Sequence, residues 1–179
     1  FAGKFTYRKG PDLLLESIKI LNKHPNFSLN TKFLFVGDGA IKKDLIEFSK
    51  KNNLRNVRFF PFQNQRNLSK FYQKSDVFIL PSRIGPWELA INEAMSAGNA
   101  IIASNHAGAA YDLVKKNKNG FTFKNNDYKD LAKQILLIYK NKKKIKYYKK
   151  KSLEIISKWE FKQCYVGLQK AIKYVSKKK

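Results

Sequence analysis

The feature that most constrains this chain is an alternation of short apolar runs with longer amphipathic ones. The runs Lys32–Val36, Val57–Phe60, Val77–Leu80, Ala100–Ser104 and Phe121–Phe123 are strand-length and rich in β-formers. Between and after them lie stretches with helical patterning: Pro11–Lys23, Ile41–Lys51, Asn67–Lys74, Trp87–Ala97, Ala110–Lys116 and Asp127–Tyr139. In the first of these, Leu14, Ile18 and Leu21 share one stripe at i, i+4, i+7. Pro11 sits in its first turn, where a missing N–H costs nothing, and Asp12 suits the positive helix end. The strands are apolar throughout rather than at alternate residues, which predicts strands covered on both faces. Strand–helix alternation of this kind predicts a parallel sheet wrapped by helices on both sides. Phe1-Ala2 running into Gly3 reads as the end of a further strand. The expectation is therefore α/β: a Rossmann-like parallel sheet of about six strands flanked by helices. Residues 140–179 are expected to add C-terminal helices, the last around Phe161–Val175. No repeat and no Pro/Gly-rich linker divides the chain, so 1–179 reads as one domain.

In such a fold ligands bind at the carboxyl ends of the strands. The loop after the first strand reads Gly3-Lys4-Phe5-Thr6-Tyr7-Arg8-Lys9-Gly10 and leads into a helix N-terminus. Two lysines and free backbone N–H groups there suit a diphosphate; two solvated surface lysines are the other reading. The loop Val36-Gly37-Asp38-Gly39-Ala40 is glycine-rich but is neither a P-loop nor a full dinucleotide fingerprint. The stretch Pro81-Ser82-Arg83-Ile84-Gly85-Pro86-Trp87-Glu88-Leu89-Ala90-Ile91-Asn92-Glu93 carries a strand end, a loop and a helix start. A carboxylate at Glu93 can accept two hydrogen bonds from a vicinal diol such as ribose; a plain surface position is the alternative. His24 reads as surface, and His106 as a loop residue at the binding edge.

Composition narrows the partners. Lys and Arg number 37 against 13 Asp and Glu, a net charge of +24. Attraction to polyanions is one reading. Coding bias is the other: the bases are nearly all Lys and travel with abundant Asn and Ile, while Arg, the residue suited to bidentate recognition, is scarce. No apolar run approaches the roughly 20 residues of a bilayer-spanning helix. Cys164 is the single cysteine, which excludes an internal disulfide and a cysteine zinc site and points to a reducing, cytosolic compartment. The chain opens on Phe1 without Met and reads as part of a longer protein.

Several segments, in order, resemble the retaining glycosyltransferases of family 4, which have the two-Rossmann-domain GT-B fold. They are Gly3-Lys4 with Lys9-Gly10 and the Asp12-Leu13-Leu14-Leu15 helix; Val36-Gly37-Asp38-Gly39; Val57-Arg58-Phe59; Ser75-Asp76-Val77-Phe78-Ile79-Leu80-Pro81-Ser82; Asn92-Glu93-Ala94-Met95 with Gly98; Gly108-Ala109-Ala110; and Asn119-Gly120-Phe121. The resemblance is to the C-terminal, donor-holding domain. It implies transfer of a hexose from a nucleotide diphosphate sugar to a glycan or lipid-linked acceptor, with retention and with no metal or other cofactor. Lys4, in place of the family's Arg, and Lys9 would neutralise the diphosphate. Glu93 would hold the ribose, the backbone N–H groups of Leu89 and Ala90 would approach the distal phosphate and sugar, and the base would lie near Phe60. The acceptor would be held by an N-terminal domain outside this chain, and the isolated domain is expected to be inactive.

One departure bears on catalysis. The family places an acid eight residues before Glu93 and a glycine three residues after that acid; here those positions are Gly85 and Glu88. Glu88 is thus the candidate acid toward the transferred sugar, from a shifted place, and a degenerate homologue that binds but does not turn over is the alternative. The family's Asp after Ser104 is Asn105. A basic nucleic-acid-binding module is a further alternative resting on charge alone, and nucleic acid is not the expected partner. The lysines of 140–151 and Lys177-Lys178-Lys179 suggest a peripheral contact with an anionic membrane surface, on its cytoplasmic side.

Overall fold

A computed structural model describes residues 1–176; Lys177-Lys178-Lys179 lie outside the described residues. The elements run α1 (Pro11–Leu21), α2 (Phe27–Asn30), β1 (Phe33–Val36), α3 (Lys42–Lys51), β2 (Val57–Phe60), α4 (Gln65–Gln73), β3 (Val77–Leu80), α5 (Leu89–Ser96), β4 (Ala100–Ser104), α6 (Gly108–Leu113), β5 (Gly120–Phe123), α7 (Tyr128–Lys140), α8 (Ile145–Ile156) and α9 (Phe161–Ser176). Single 3-10 turns stand at Tyr7–Lys9 and Lys142–Lys144. Local chemistry sets several of the helix starts. Asn64 caps α4 by accepting from the Asn67 N–H at 2.9 Å, and Asp127 caps α7 by accepting from the N–H groups of Lys129 and Asp130.

All strand pairs are parallel, as the apolar strands predict, but the sheet differs from the expected six strands. β1 pairs with β2 in one sheet, and β3, β4 and β5 form a second sheet in that order. The sixth strand read at the chain's opening exists only as a bridge between Ala2 and Val36. Its bonds are the Phe1 ammonium to the Leu34 carbonyl at 3.0 Å, the Val36 N–H to the Phe1 carbonyl at 2.9 Å and the Gly3 N–H to the Val36 carbonyl at 3.0 Å. Among the described residues nothing continues that ladder to β3, so the two sheets stay separate. Toward their amino ends a cavity of about 690 Å³ lies between them, lined by Phe1, Leu34, Val77, Ile79, Ile102 and Tyr139 among others.

Alternate residues of β3 and β4 feed two cores, which is why those strands are apolar on both faces, whereas Arg58 of β2 and Thr122 of β5 are exposed. Ile79, Ile102, Phe121 and Phe123 pack with Leu14, Ile18, Leu45, Leu131 and Ile135 from α1, α3 and α7. Phe78, Leu80, Ile101 and Ala103 pack with Tyr72, Ile91, Met95, Ala110 and Leu113 from α4, α5 and α6. Helix α8 joins by burying Tyr148 and Ser152, with Ile145 half-buried, while Tyr147 and most lysines of 140–151 face outward. Helix α9 buries none of its residues.

Candidate functional site

The carboxyl ends of the strands bring two loops together, 3–10 and 81–88. Gly10 makes the joint possible. It caps α1 with φ 69°, and a Cβ there would stand 2.1 Å from the Pro81 carbonyl oxygen, so only glycine fits both the dihedral and the gap. Arg83 ties the loops from the other side. Its guanidinium forms a two-point pair with Asp12, Nη1 to Oδ1 at 3.0 Å and Nη2 to Oδ2 at 2.6 Å. Nη1 also donates to the Tyr7 carbonyl, and the Arg83 N–H donates to the Arg8 carbonyl at 2.9 Å. Asp12, read from sequence as a helix-end charge, therefore also anchors the opposite loop.

Glu88 lies at the centre. Its Oε1 accepts from Lys9 Nζ at 2.6 Å and from Ser82 Oγ at 2.7 Å, and the residue is only 5% exposed. Its other oxygen, Oε2, is buried and has no hydrogen-bond partner among the described residues, an unpaired acceptor that calls for an explanation. The carboxylate folds back over Gly85. A Cβ built on Gly85 would lie 2.3 Å from Glu88 Oε1 and 2.4 Å from its Cδ. The acid three residues along thus occupies the space beside the α-carbon of residue 85, and the missing side chain there and the extra one at 88 are complementary.

Because Glu88 turns inward as the N-cap residue, α5 begins at Leu89 rather than at the expected Trp87. Ile91 donates to the Glu88 carbonyl, and the N–H groups of Leu89 and Ala90 precede the first intrahelical bond, at the positive end of the helix. Leu89 is exposed and Ala90 half-buried. Glu93 follows one turn in rather than two; it is half-buried, and its Oε2 accepts from the Tyr72 hydroxyl at 3.0 Å. Burial, first, and the nearby Glu93 charge, second, push the Tyr72 phenol well above its ordinary range. Across the loop, Gly85 pairs with Ala107, and the Gly108 N–H donates to the Gly85 carbonyl at 2.8 Å.

The other expected residues fall as follows. Lys4 is exposed on the opening loop and makes no ion pair among the described residues. Phe60 ends β2, but its half-buried ring stacks edge-on against Phe71 at 4.9 Å and belongs to the second core; Phe62, 75% exposed, stands in the loop beyond it. His106 is exposed and shares a 3.0 Å hydrogen bond with Asn125, whose N–H donates to Asn105. His24 is exposed. Sequence reading missed Tyr72, Ser82 and Arg83 as parts of the site. Ser82 and Arg83 stood in the quoted loop with no signal of their partners, and Tyr72 sits in a helix with no local signal at all.

Comparison with known proteins places this geometry. Residues 1–154 match the family model of the glycosyl transferases, group 1. An uncharacterized glycosyltransferase of Methanocaldococcus jannaschii is 26% identical over 176 residues, covering 98% of this chain and 48% of that protein. The Escherichia coli UDP-Gal:alpha-D-GlcNAc-diphosphoundecaprenol alpha-1,3-galactosyltransferase is 30% identical over 141 residues, 78% of this chain and 36% of its own length. The crystal structure of Anabaena HepE in complex with UDP superposes with a TM-score of 0.78 at 23% identity, over 98% of this chain and 48% of that one. The chain spans less than half the length of these relatives. With a matched model over most of its length and the same fold, the chain belongs to the group 1 glycosyl transferases.

Proposed function

We propose that this chain is the donor-binding domain of a transferase that moves a hexose, with retention, from a nucleoside diphosphate sugar to a glycan or lipid-linked acceptor. The observation that carries this reading is the convergence of Lys9, Glu88 and Ser82 on the start of α5, with Glu93 one turn farther on. Lys9, Lys4 and the N–H groups of Leu89 and Ala90 supply positive charge where a diphosphate leaving group gathers negative charge. Glu93 takes the ribose hydroxyls. Glu88, beside Gly85, is the candidate acid toward the transferred sugar at a shifted position; its carboxylate is buried against Lys9 and Ser82 and would have to leave them to reach a sugar, and a degenerate site that binds without turnover is the alternative. No metal is needed in this scheme, since lysines and a helix end serve the diphosphate.

The acceptor and any group that deprotonates it belong to a second, N-terminal domain, so the isolated chain should transfer no sugar. The galactosyltransferase relative named for a diphosphoundecaprenol acceptor supports a lipid-linked one, and with such an acceptor a peripheral contact on the cytoplasmic side of a membrane is part of this reading. Exposed Lys142, Lys143, Lys144, Lys146 and Lys150 would then meet anionic headgroups, each contributing about 1 kcal/mol near the surface. No described helix is long and apolar enough to cross a membrane. Vesicle co-sedimentation tests the contact: equal recovery with neutral and acidic vesicles would count against it.

Calorimetric titration with UDP, GDP, NAD and an oligonucleotide tests the central claim. A nucleoside diphosphate should bind, and Glu93→Ala should weaken it roughly 10- to 150-fold, the equivalent of one charged hydrogen bond at about 1.5–3 kcal/mol. Unchanged affinity in that variant would remove Glu93 from the ribose.

A further inference from the structure

The Glu93 carboxylate does not stand alone, and its protein partner has no part in the reading above. The Tyr72 hydroxyl meets Glu93 Oε2 at 3.0 Å, while Oε1 accepts no hydrogen bond among the described residues. Tyr72 is held from three directions. Its ring is 5% exposed and lies edge-on to Phe78 of β3 at 5.5 Å. Its carbonyl accepts from Asn99 Nδ2 at 2.9 Å, and the same nitrogen donates to the Ser75 carbonyl at 2.7 Å. The end of α4 is thereby fastened to the turn between α5 and β4. A phenol fixed in this way is a fixed donor, and it stays protonated because burial and the adjacent carboxylate both favour the neutral form.

A vicinal diol is read only if the carboxylate plane is held still, because two hydroxyls must meet two acceptor positions at once. A half-buried glutamate on a helix has three side-chain torsions, and the bond from Tyr72 restricts them by tying Oε2 to a fixed donor. We propose that Tyr72 is a positioning residue that aligns the Glu93 carboxylate and so makes this chain select ribonucleoside diphosphates over their deoxy counterparts. The inference rests on Glu93 holding the ribose, and its test separates the two.

The measurement is the ratio of the dissociation constants of UDP and 2′,3′-dideoxy-UDP, in the chain as it stands and in Tyr72→Phe and Glu93→Ala. The parent should prefer UDP. Tyr72→Phe keeps the ring and its packing, and it should cut that preference at least about fivefold while dideoxy-UDP affinity holds. That constant affinity is also the control for folding. Glu93→Ala should abolish the preference. If Tyr72→Phe leaves the ratio unchanged while Glu93→Ala abolishes it, Tyr72 is only a packing residue and the inference falls. If neither variant changes the ratio, Glu93 does not touch the ribose and both readings fall. If Tyr72→Phe weakens both ligands equally, its effect is on the shape of the domain, and the inference again falls.

Discussion

Substituting Gly85 by Ala tests the most specific claim about the 81–88 loop, that the Glu88 side chain fills the space a residue-85 side chain would take. The new Cβ would sit 2.3 Å from Glu88 Oε1, 2.4 Å from Cδ and 2.9 Å from Cγ. These three nearest atoms all belong to one side chain, beyond its own Cβ. Glu88 must therefore swing away and give up its bonds from Lys9 and Ser82. Hydrogen bonds to charged groups contribute about 1.5–3 kcal/mol each. Lys9 keeps some access to water and recovers part of its share, so the expected loss is roughly 2–4 kcal/mol. At about 2–4 °C per kcal/mol for a chain of this size, the melting temperature should fall by roughly 5–15 °C. With Glu88 already cut back to Ala, the obstruction is gone. Gly85→Ala should then cost nothing, or even stabilise by about 0.4–1 kcal/mol through the unfolded chain. A double-mutant cycle read by denaturant unfolding would show a coupling of about 2–3 kcal/mol or more. Additive effects, within about 0.5 kcal/mol, would mean that backbone rather than Glu88 closes this space, and the complementarity of the two positions would be refuted.

Two further outcomes follow from the same geometry. Gly10→Ala must hold an L side chain at φ 69° and 2.1 Å from the Pro81 carbonyl, so it should lose at least about 2 kcal/mol and weaken UDP binding, as unfolding and titration would report. Glu88→Gln keeps the shape but releases Lys9 from its 2.6 Å pair; UDP should then bind roughly 3- to 10-fold more tightly, and unchanged affinity would remove Lys9 from the diphosphate.

The strands were legible in the sequence as short apolar runs, most plainly β3 and β4, whose alternate residues enter two cores. Val57–Phe60, Val77–Leu80 and Ala100–Ser104 stand where their apolar runs put them. The split into two sheets was not legible, since it turns on whether one bridge at Ala2 extends, and a two-residue apolar start does not say so. Helix α5 was read two residues early because Trp87 and Glu88 suit a helix locally, whereas Glu88 is drawn inward by Lys9, 79 residues away in sequence. Long-range polar pairs are the general blind spot: Arg83 with Asp12 and Tyr72 with Glu93 carry no periodicity. Glu93 was singled out through the ordered segments it shares with a known family, and the fold adds its hydrogen bond from Tyr72. Of the lysine-rich stretch, periodicity left Tyr147 and Tyr148 undecided, and packing on Phe121 settles Tyr148 inward.

The 81–88 loop has one more neighbour. Trp87 stacks on Trp159, which lies between α8 and α9, with ring centroids 5.4 Å apart, and its indole N–H donates to Asn92 at 3.2 Å. These are the chain's two tryptophans. All of its indole absorption and emission thus arises from one stacked pair beside Glu88, partly open to solvent. Fluorescence excited at the red edge of the indole band, where the nine tyrosines absorb little, will report mainly on this pair. A ligand that shifts residues 85–88 will be visible optically without a label, whereas one bound elsewhere on this very basic surface will leave the indole signal unchanged.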